Sequence, residues 1–129
     1  MKNLILILVL AIFTVTGFSQ EGYVIGSNFG SFFKASCVYN QTKTLIEHTS
    51  KESVELHGEE KLTVFYRNLE ISKQETWDFV ITEGSGDTVS QSYTRSLKGA
   101  YSKEVTLNLV KEDGEWKIVL PEDLTTFLK

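Results

Sequence analysis

The spacing of apolar residues changes period once along this chain, from the three-and-four rhythm of helices to the alternation of strands, and the change falls near Glu75 and Thr76. Before it, Phe29, Phe32, Phe33, Ser36 and Cys37 lie on or near one stripe behind Ser27, a candidate N-cap, and predict a first helix. Asn40 is expected to break that helix and cap a short second one, Gln41 to His48, with Leu45 and Ile46 pointing inward. Thr49 followed by Glu52 has the form of a capping box and opens a third helical stretch, which Gly58 divides. Beyond Gly58, Leu62, Phe65, Tyr66 and Leu69 form the strongest amphipathic pattern after the N-terminal region.

The second half alternates. Trp77, Phe79 and Ile81 predict a strand with an apolar inner face, and Gly84-Ser85-Gly86-Asp87 predicts a turn. From Thr88 to Leu97 one side carries Thr88, Ser90, Ser92, Thr94 and Ser96, a ladder of hydroxyls, while Val89, Gln91, Tyr93, Arg95 and Leu97 take the other. Tyr101, Lys103, Val105, Leu107 and Leu109 share the inward parity of the next strand. Asp113-Gly114 marks a tight hairpin, and Trp116, Ile118 and Leu120 form the last inward row before Pro121. Leu124, Phe127 and Leu128 in the tail suit a terminal helical turn over a core edge. Helices first and a meander afterwards predict an α+β fold.

Two further features bear on where the protein works. Met1 and Lys2 precede an apolar run from Leu4 to Val15 broken only by Thr14, and Gly17-Phe18-Ser19 has small residues in the arrangement of a cleavage site. The pattern is that of a secretory signal peptide over residues 1–19, and the run falls short of the roughly 20 residues that span a bilayer. Residues 20–129 are then expected to form a single α+β domain, periplasmic or secreted. Removing the first 19 of 129 residues takes away only Lys2 among charged side chains, which moves the net charge from −4 to −5. A negative surface disfavours nucleic acid, and no membrane association is expected after signal cleavage. Cys37 is the only cysteine, so no internal disulfide is available, and its apolar neighbours read as a buried thiol.

Phe32-Phe33-Lys34-Ala35, the segment from Leu45 to Ser53, Gly58 with Phe65-Tyr66, and the closing Leu109 to Ile118 together carry a resemblance to the nuclear transport factor 2-like superfamily, closest to its small secreted bacterial members. That superfamily includes ketosteroid isomerases, scytalone dehydratase and many non-catalytic proteins. The resemblance implies helices packed on a strongly curved antiparallel sheet, a cystatin-like or cone-shaped α+β barrel, with an apolar pocket at the wide end of the cone. It does not by itself imply catalysis, because one scaffold hosts many activities.

The expected function is therefore non-enzymatic binding of a small molecule or protein partner in a curved-sheet pocket. Tyr66, Trp77, Gln91, Tyr93 and Arg95 are the candidate ligand-binding residues, with Arg95 offering a fixed fork for a carboxylate. One alternative is an isomerase or lyase moving a proton with Asp78 or His48, although Asp78 has the parity of the outer face and His48 the place of a helix C-cap. A second is an inhibitor- or immunity-like module using the outer sheet face, and a homodimer through that face is a further candidate assembly. No metal site is expected, since His48 and His57 lack companions at ligand spacing. No cofactor motif is present, and no catalytic set could be assigned. Asn40-Gln41-Thr42 matches a glycosylation sequon, expected to be a chance match in a bacterial protein, the origin that the signal peptide and the resemblance favour.

Overall fold

The computed structural model describes residues 29–129, so the expected signal peptide over residues 1–19 and the candidate Ser27 cap lie outside the described residues. Among the described residues four helices, α1 (Phe29–Val38), α2 (Thr42–Glu47), α3 (Lys51–His57) and α4 (Glu59–Arg67), precede four strands, β1 (Thr76–Ser85), β2 (Thr88–Leu97), β3 (Tyr101–Glu112) and β4 (Glu115–Val119), and a 3₁₀ turn follows at Leu124–Thr126. The strands form one antiparallel sheet in chain order, which does not close on itself. The protein is α+β, as the change of period predicts.

Local chemistry explains the helix boundaries, with two corrections. Asn40 adopts φ 55° and ends α1 rather than capping α2; the residue at the α2 N-cap is Gln41, which makes no side-chain cap bond. Thr49 is not the cap of α3. Its hydroxyl instead donates to the Leu45 carbonyl (2.7 Å) and bonds the Tyr66 hydroxyl (2.6 Å), both buried, and Ser50 caps the helix by accepting from the Ser53 amide. Burial selects between the two hydroxyls, because Thr49 faces Tyr66 and must be satisfied there. Gly58 closes α3 through its amide on the Val54 carbonyl and opens α4 through its own carbonyl, at φ 86°, a conformation open to glycine at little cost.

The sheet register places the inner face of β2 as the alternation predicts: Val89, Gln91, Tyr93 and Arg95 are buried. On β3 Val105, Leu107 and Leu109 are buried opposite them, but Lys103 is exposed despite its inward parity. The hydroxyl ladder is real: Ser90 bonds Asn108, Ser92 bonds Thr106 and Ser96 bonds Ser102 across the outer face. Asp113 (φ 51°) and Gly114 (φ 80°) make the two-residue turn into β4, whose Ile118 is fully buried.

β1 departs most from its predicted pattern. Phe79 pairs with Tyr93 but Ile81 pairs with Ser92, so a bulge inserts Val80 and reverses the parity beyond it. Ile81 consequently sits opposite the outer-face Ser92, while Thr82 takes the inward place and accepts a hydrogen bond from Gln91 (3.2 Å). Phe79, Val80 and Ile81 are all more than 40% exposed, contrary to the inward role expected of Phe79 and Ile81. β1 also runs two residues further than expected, to Ser85, leaving Gly86-Asp87 as the turn.

The two sheet edges are treated differently. At β4 the Ser50 amide donates to the Ile118 carbonyl and the Ile118 amide to the His48 carbonyl, both at 2.7 Å, so the α2–α3 connection covers that edge. β1 has no strand partner on its outer side among the described residues.

The core lies between the helices and the inner sheet face, with Phe33, Leu45, Leu62, Tyr93, Leu107 and Leu109 almost fully buried and Phe127 and Leu128 of the tail closing one end. Cys37 is buried there, and burial pushes its thiol up to about 12, with the Arg95 charge a smaller opposing influence. Tyr93 is likewise pushed to about 12 by burial. Both folded-state values lie above the ordinary 9.0 and 10.0, so these neutral groups contribute stability that is present below pH 9 and lost as pH climbs toward 12. We expect native protein at pH 8 to react with a disulfide reagent on the order of 100-fold more slowly than urea-unfolded protein. Equal rates in the two states would show an accessible thiol instead.

Candidate functional site

Where α4 ends, the chain crosses from the helix layer to the sheet through residues 68–75. Ser72 shapes the crossing: its carbonyl accepts the Glu75 amide (3.1 Å) and its hydroxyl accepts the Gln74 amide (3.2 Å). This tight turn delivers Glu75 to the inner side of the sheet, where it is 1% exposed.

A buried carboxylate requires compensation, and Glu75 has it from several directions. Arg95 donates through Nε to Oε2 (2.9 Å) and through Nη2 to Oε1 (2.8 Å), a bidentate pair. Trp77 Nε1 donates to Oε2 (3.1 Å), the Tyr101 hydroxyl donates to Oε1, and the Lys34 ammonium holds the Glu75 carbonyl. Burial drives the Glu75 carboxyl up, but the hydrogen bonds from Arg95 and Trp77 and the guanidinium charge together hold it below its ordinary 4.5. Arg95 is held just as firmly. Its guanidinium carbon lies 5.9 Å from the Trp77 ring centroid and 5.6 Å from that of Tyr101, and Nη2 also donates to the Glu70 carbonyl (2.5 Å).

This cluster forms part of the wall of an open cleft of about 750 Å³. The α4–β1 crossing contributes Leu69, Glu70 and Ile71, the tail contributes Phe127, Leu128 and Lys129, and the strand ends contribute Arg95, Tyr101 and Lys103. The lining is mixed: Leu69, Ile71, Phe127 and Leu128 are apolar, Arg95, Lys103 and Lys129 are cationic, and Glu70 and Glu75 are acidic. A second, smaller cleft of about 340 Å³ has Lys34, Lys73 and Trp77 in its wall.

The five candidate binding residues separate in the structure. Arg95 lines the larger cleft and Trp77 the smaller. Tyr66, Gln91 and Tyr93 are 0–2% exposed and bonded within the protein: Tyr66 to Thr49, and Tyr93 to Gln91 (2.7 Å) and to the Gly30 amide (3.1 Å). Tyr66 and Tyr93 thus support the interior of the helix–sheet interface rather than either cleft. Arg95 presents its fork to Glu75, so an internal carboxylate takes the place expected for a ligand's.

Asp78 is exposed and pairs with Thr94 on the outer face. His48 is half-buried, its Nδ1 2.9 Å from the Thr44 carbonyl and its ring 4.7 Å from that of Phe32. Neither residue is in the lining of the larger cleft. Among the described residues no three His, Cys, Asp or Glu side chains gather as metal ligands, and no helix is long and apolar enough to cross a membrane.

Glu75 is the residue of this cluster that the sequence pattern does not single out. A signal for it was present: extending the inward parity of Phe79 and Trp77 back by two positions reaches Glu75, and a carboxylate at an inward position calls for a cation on the neighbouring strand, which Arg95 supplies. Compared with models of known protein families and with curated proteins, the chain matches neither.

Proposed function

We propose that this is an exported, non-enzymatic binding domain of the cone-shaped, nuclear transport factor 2-like type, which takes a small molecule in the cleft at the rim of its helix–sheet interface. The observation that carries the reading is the make-up of that cleft, in which the apolar side chains of Leu69, Ile71 and Phe127 share the lining with a guanidinium immobilised by Glu75, Trp77 and Tyr101. Rigid, partly desolvated polar groups set in an apolar surface are the usual construction of a ligand site. A cleft between the α4–β1 crossing and the ends of β2 and β3 supports the reading, since the resemblance implies a pocket at the wide end of a cone. The placement of Asp78 and His48 away from it favours binding over proton transfer.

The reading is tested by filling the cleft. Ile71 is half-buried in its wall, and Ile71→Trp adds a ring where the ligand would lie. Protein purified from its native host is expected to carry a small molecule detectable by native mass spectrometry, and the variant to retain at least about tenfold less, equivalent to about 1.4 kcal/mol. Ligand-free protein, or equal retention by the variant, overturns the reading.

A protein partner is the second form of the hypothesis, and one observation favours it. The inner sheet face is filled by side chains, whereas β1 exposes Phe79, Val80 and Ile81 along an edge. Contiguous apolar surface of that kind marks contact sites.

A further inference from the structure

We infer that the rim cleft selects a small amphipathic carboxylate, its charged end held between Nη1 of Arg95 and the ammonium of Lys103 and its carbon chain laid on Leu69, Ile71 and Phe127. The inference rests on the binding reading above and names the chemistry of its ligand.

Three observations lead to it. First, Arg95 has one nitrogen left to offer. Nε and Nη2 are bonded to Glu75 and Glu70, and Nη1 has no hydrogen-bond partner among the described residues, although Arg95 is 92% buried and lines the cleft. With the guanidinium clamped, that donor has a fixed direction and little entropy to lose on binding.

Second, Lys103 stands directly opposite Arg95 in the β2–β3 register, on the same face of the sheet. Like charges at directly opposed positions repel. Glu75 offsets one of them, whereas Lys103 makes no ion pair among the described residues and its ammonium rests 5.8 Å from the Tyr101 ring centroid. A carboxylate between the two side chains gives one oxygen to each and relieves the repulsion.

Third, the rest of the lining limits the ligand's charge and shape. Glu70, whose carbonyl Arg95 Nη2 holds, and Glu75 also line the cleft and disfavour a dianion, while Leu69, Ile71 and Phe127 offer surface only to carbon.

Decanoate and its neutral counterpart decanol serve as probes, titrated calorimetrically into the purified protein and into Lys103→Glu, whose exposed position makes the exchange compatible with folding. Wild-type protein is expected to bind decanoate at least tenfold more tightly than decanol. The variant should lose that preference through weaker decanoate binding, with its affinity for decanol unchanged. Equal affinity of wild type for the two probes, or an unaltered preference in the variant, overturns the carboxylate assignment while leaving the cleft as a binding site. Failure of wild type to bind either probe counts against the assignment and the binding reading together.

Discussion

Glu75→Ala is expected to cost about 3–5 kcal/mol, a large part of the stability of an ordinary domain, because it strands the Arg95 guanidinium in the protein interior without its counter-charge. The same change strips Trp77 Nε1 and the Tyr101 hydroxyl of their acceptor. Urea denaturation at pH 7 followed by tryptophan fluorescence measures it. Replacing both partners, Glu75→Leu with Arg95→Met, is expected to recover most of the loss, since two apolar side chains need no compensation. The pH dependence follows from the lowered carboxyl. Its contribution is present above the ordinary value of 4.5 and is lost as pH falls through the folded-state value below it, so wild-type stability declines in acid. Glu75→Ala should flatten that decline. A loss under 1 kcal/mol, or an unchanged acid profile, would mean that the pair is solvated and the cluster is not the rigid element described above.

The second large effect is expected at Gly30. A Cβ at this position would lie 2.4 Å from Cε1 of the Tyr93 ring, and the ring cannot retreat, because Tyr93 is 1% exposed and is bonded to Gln91 and the Gly30 amide. Gly30→Ala is expected to destabilise by about 3 kcal/mol, the upper range of core overpacking, as α1 is pushed from the sheet. The check is a double-mutant cycle. Tyr93→Leu removes the ring and leaves a cavity, and adding Gly30→Ala to it should cost little. If Gly30→Ala costs the same with and without the ring, the close approach of helix and sheet at this point is not what requires glycine.

The two predictions rest on residues of different legibility. β2 was open to direct reading, since an uninterrupted hydroxyl ladder on one face and Val89, Gln91, Tyr93 and Arg95 on the other leave a single register that keeps the polar face in water. Leu62 and Tyr66 were equally plain, because burial of one helix stripe imposes the spacing directly. The bulge at Val80 was not, for alternation continues through Phe79 and Ile81 and nothing in the local composition marks the inserted residue. Thr49 and Ser50 are both competent caps, and the choice was made by Tyr66, 17 residues away.

Of the site, Arg95 was legible as an inward cation and Trp77 as an inward aromatic residue, because both follow from strand parity; that the two are neighbours comes from the β1–β2 pairing. Glu75 was missed because it lies in the turn just before β1, outside the strand over which the alternation was read, and its role depends on pairing with Arg95 across the sheet. Tyr66, Gln91 and Tyr93 were assigned inward correctly, but an inward side chain may line a cavity or fill a core, and only the closeness of α1 at Gly30 decides between them for Tyr93.

Sequence alone determined the order of elements, the α+β class and the inner face of most strands, since these depend on hydrophobic period and turn chemistry within a few residues. Tertiary structure alone decided that Arg95 is neutralised from within, that Lys103 is left without an ion pair at the rim, and that the two share a cleft with Leu69 and Phe127. These are relations between chain segments 20 or more residues apart, which local spacing does not encode and packing of the helices on the sheet brings about.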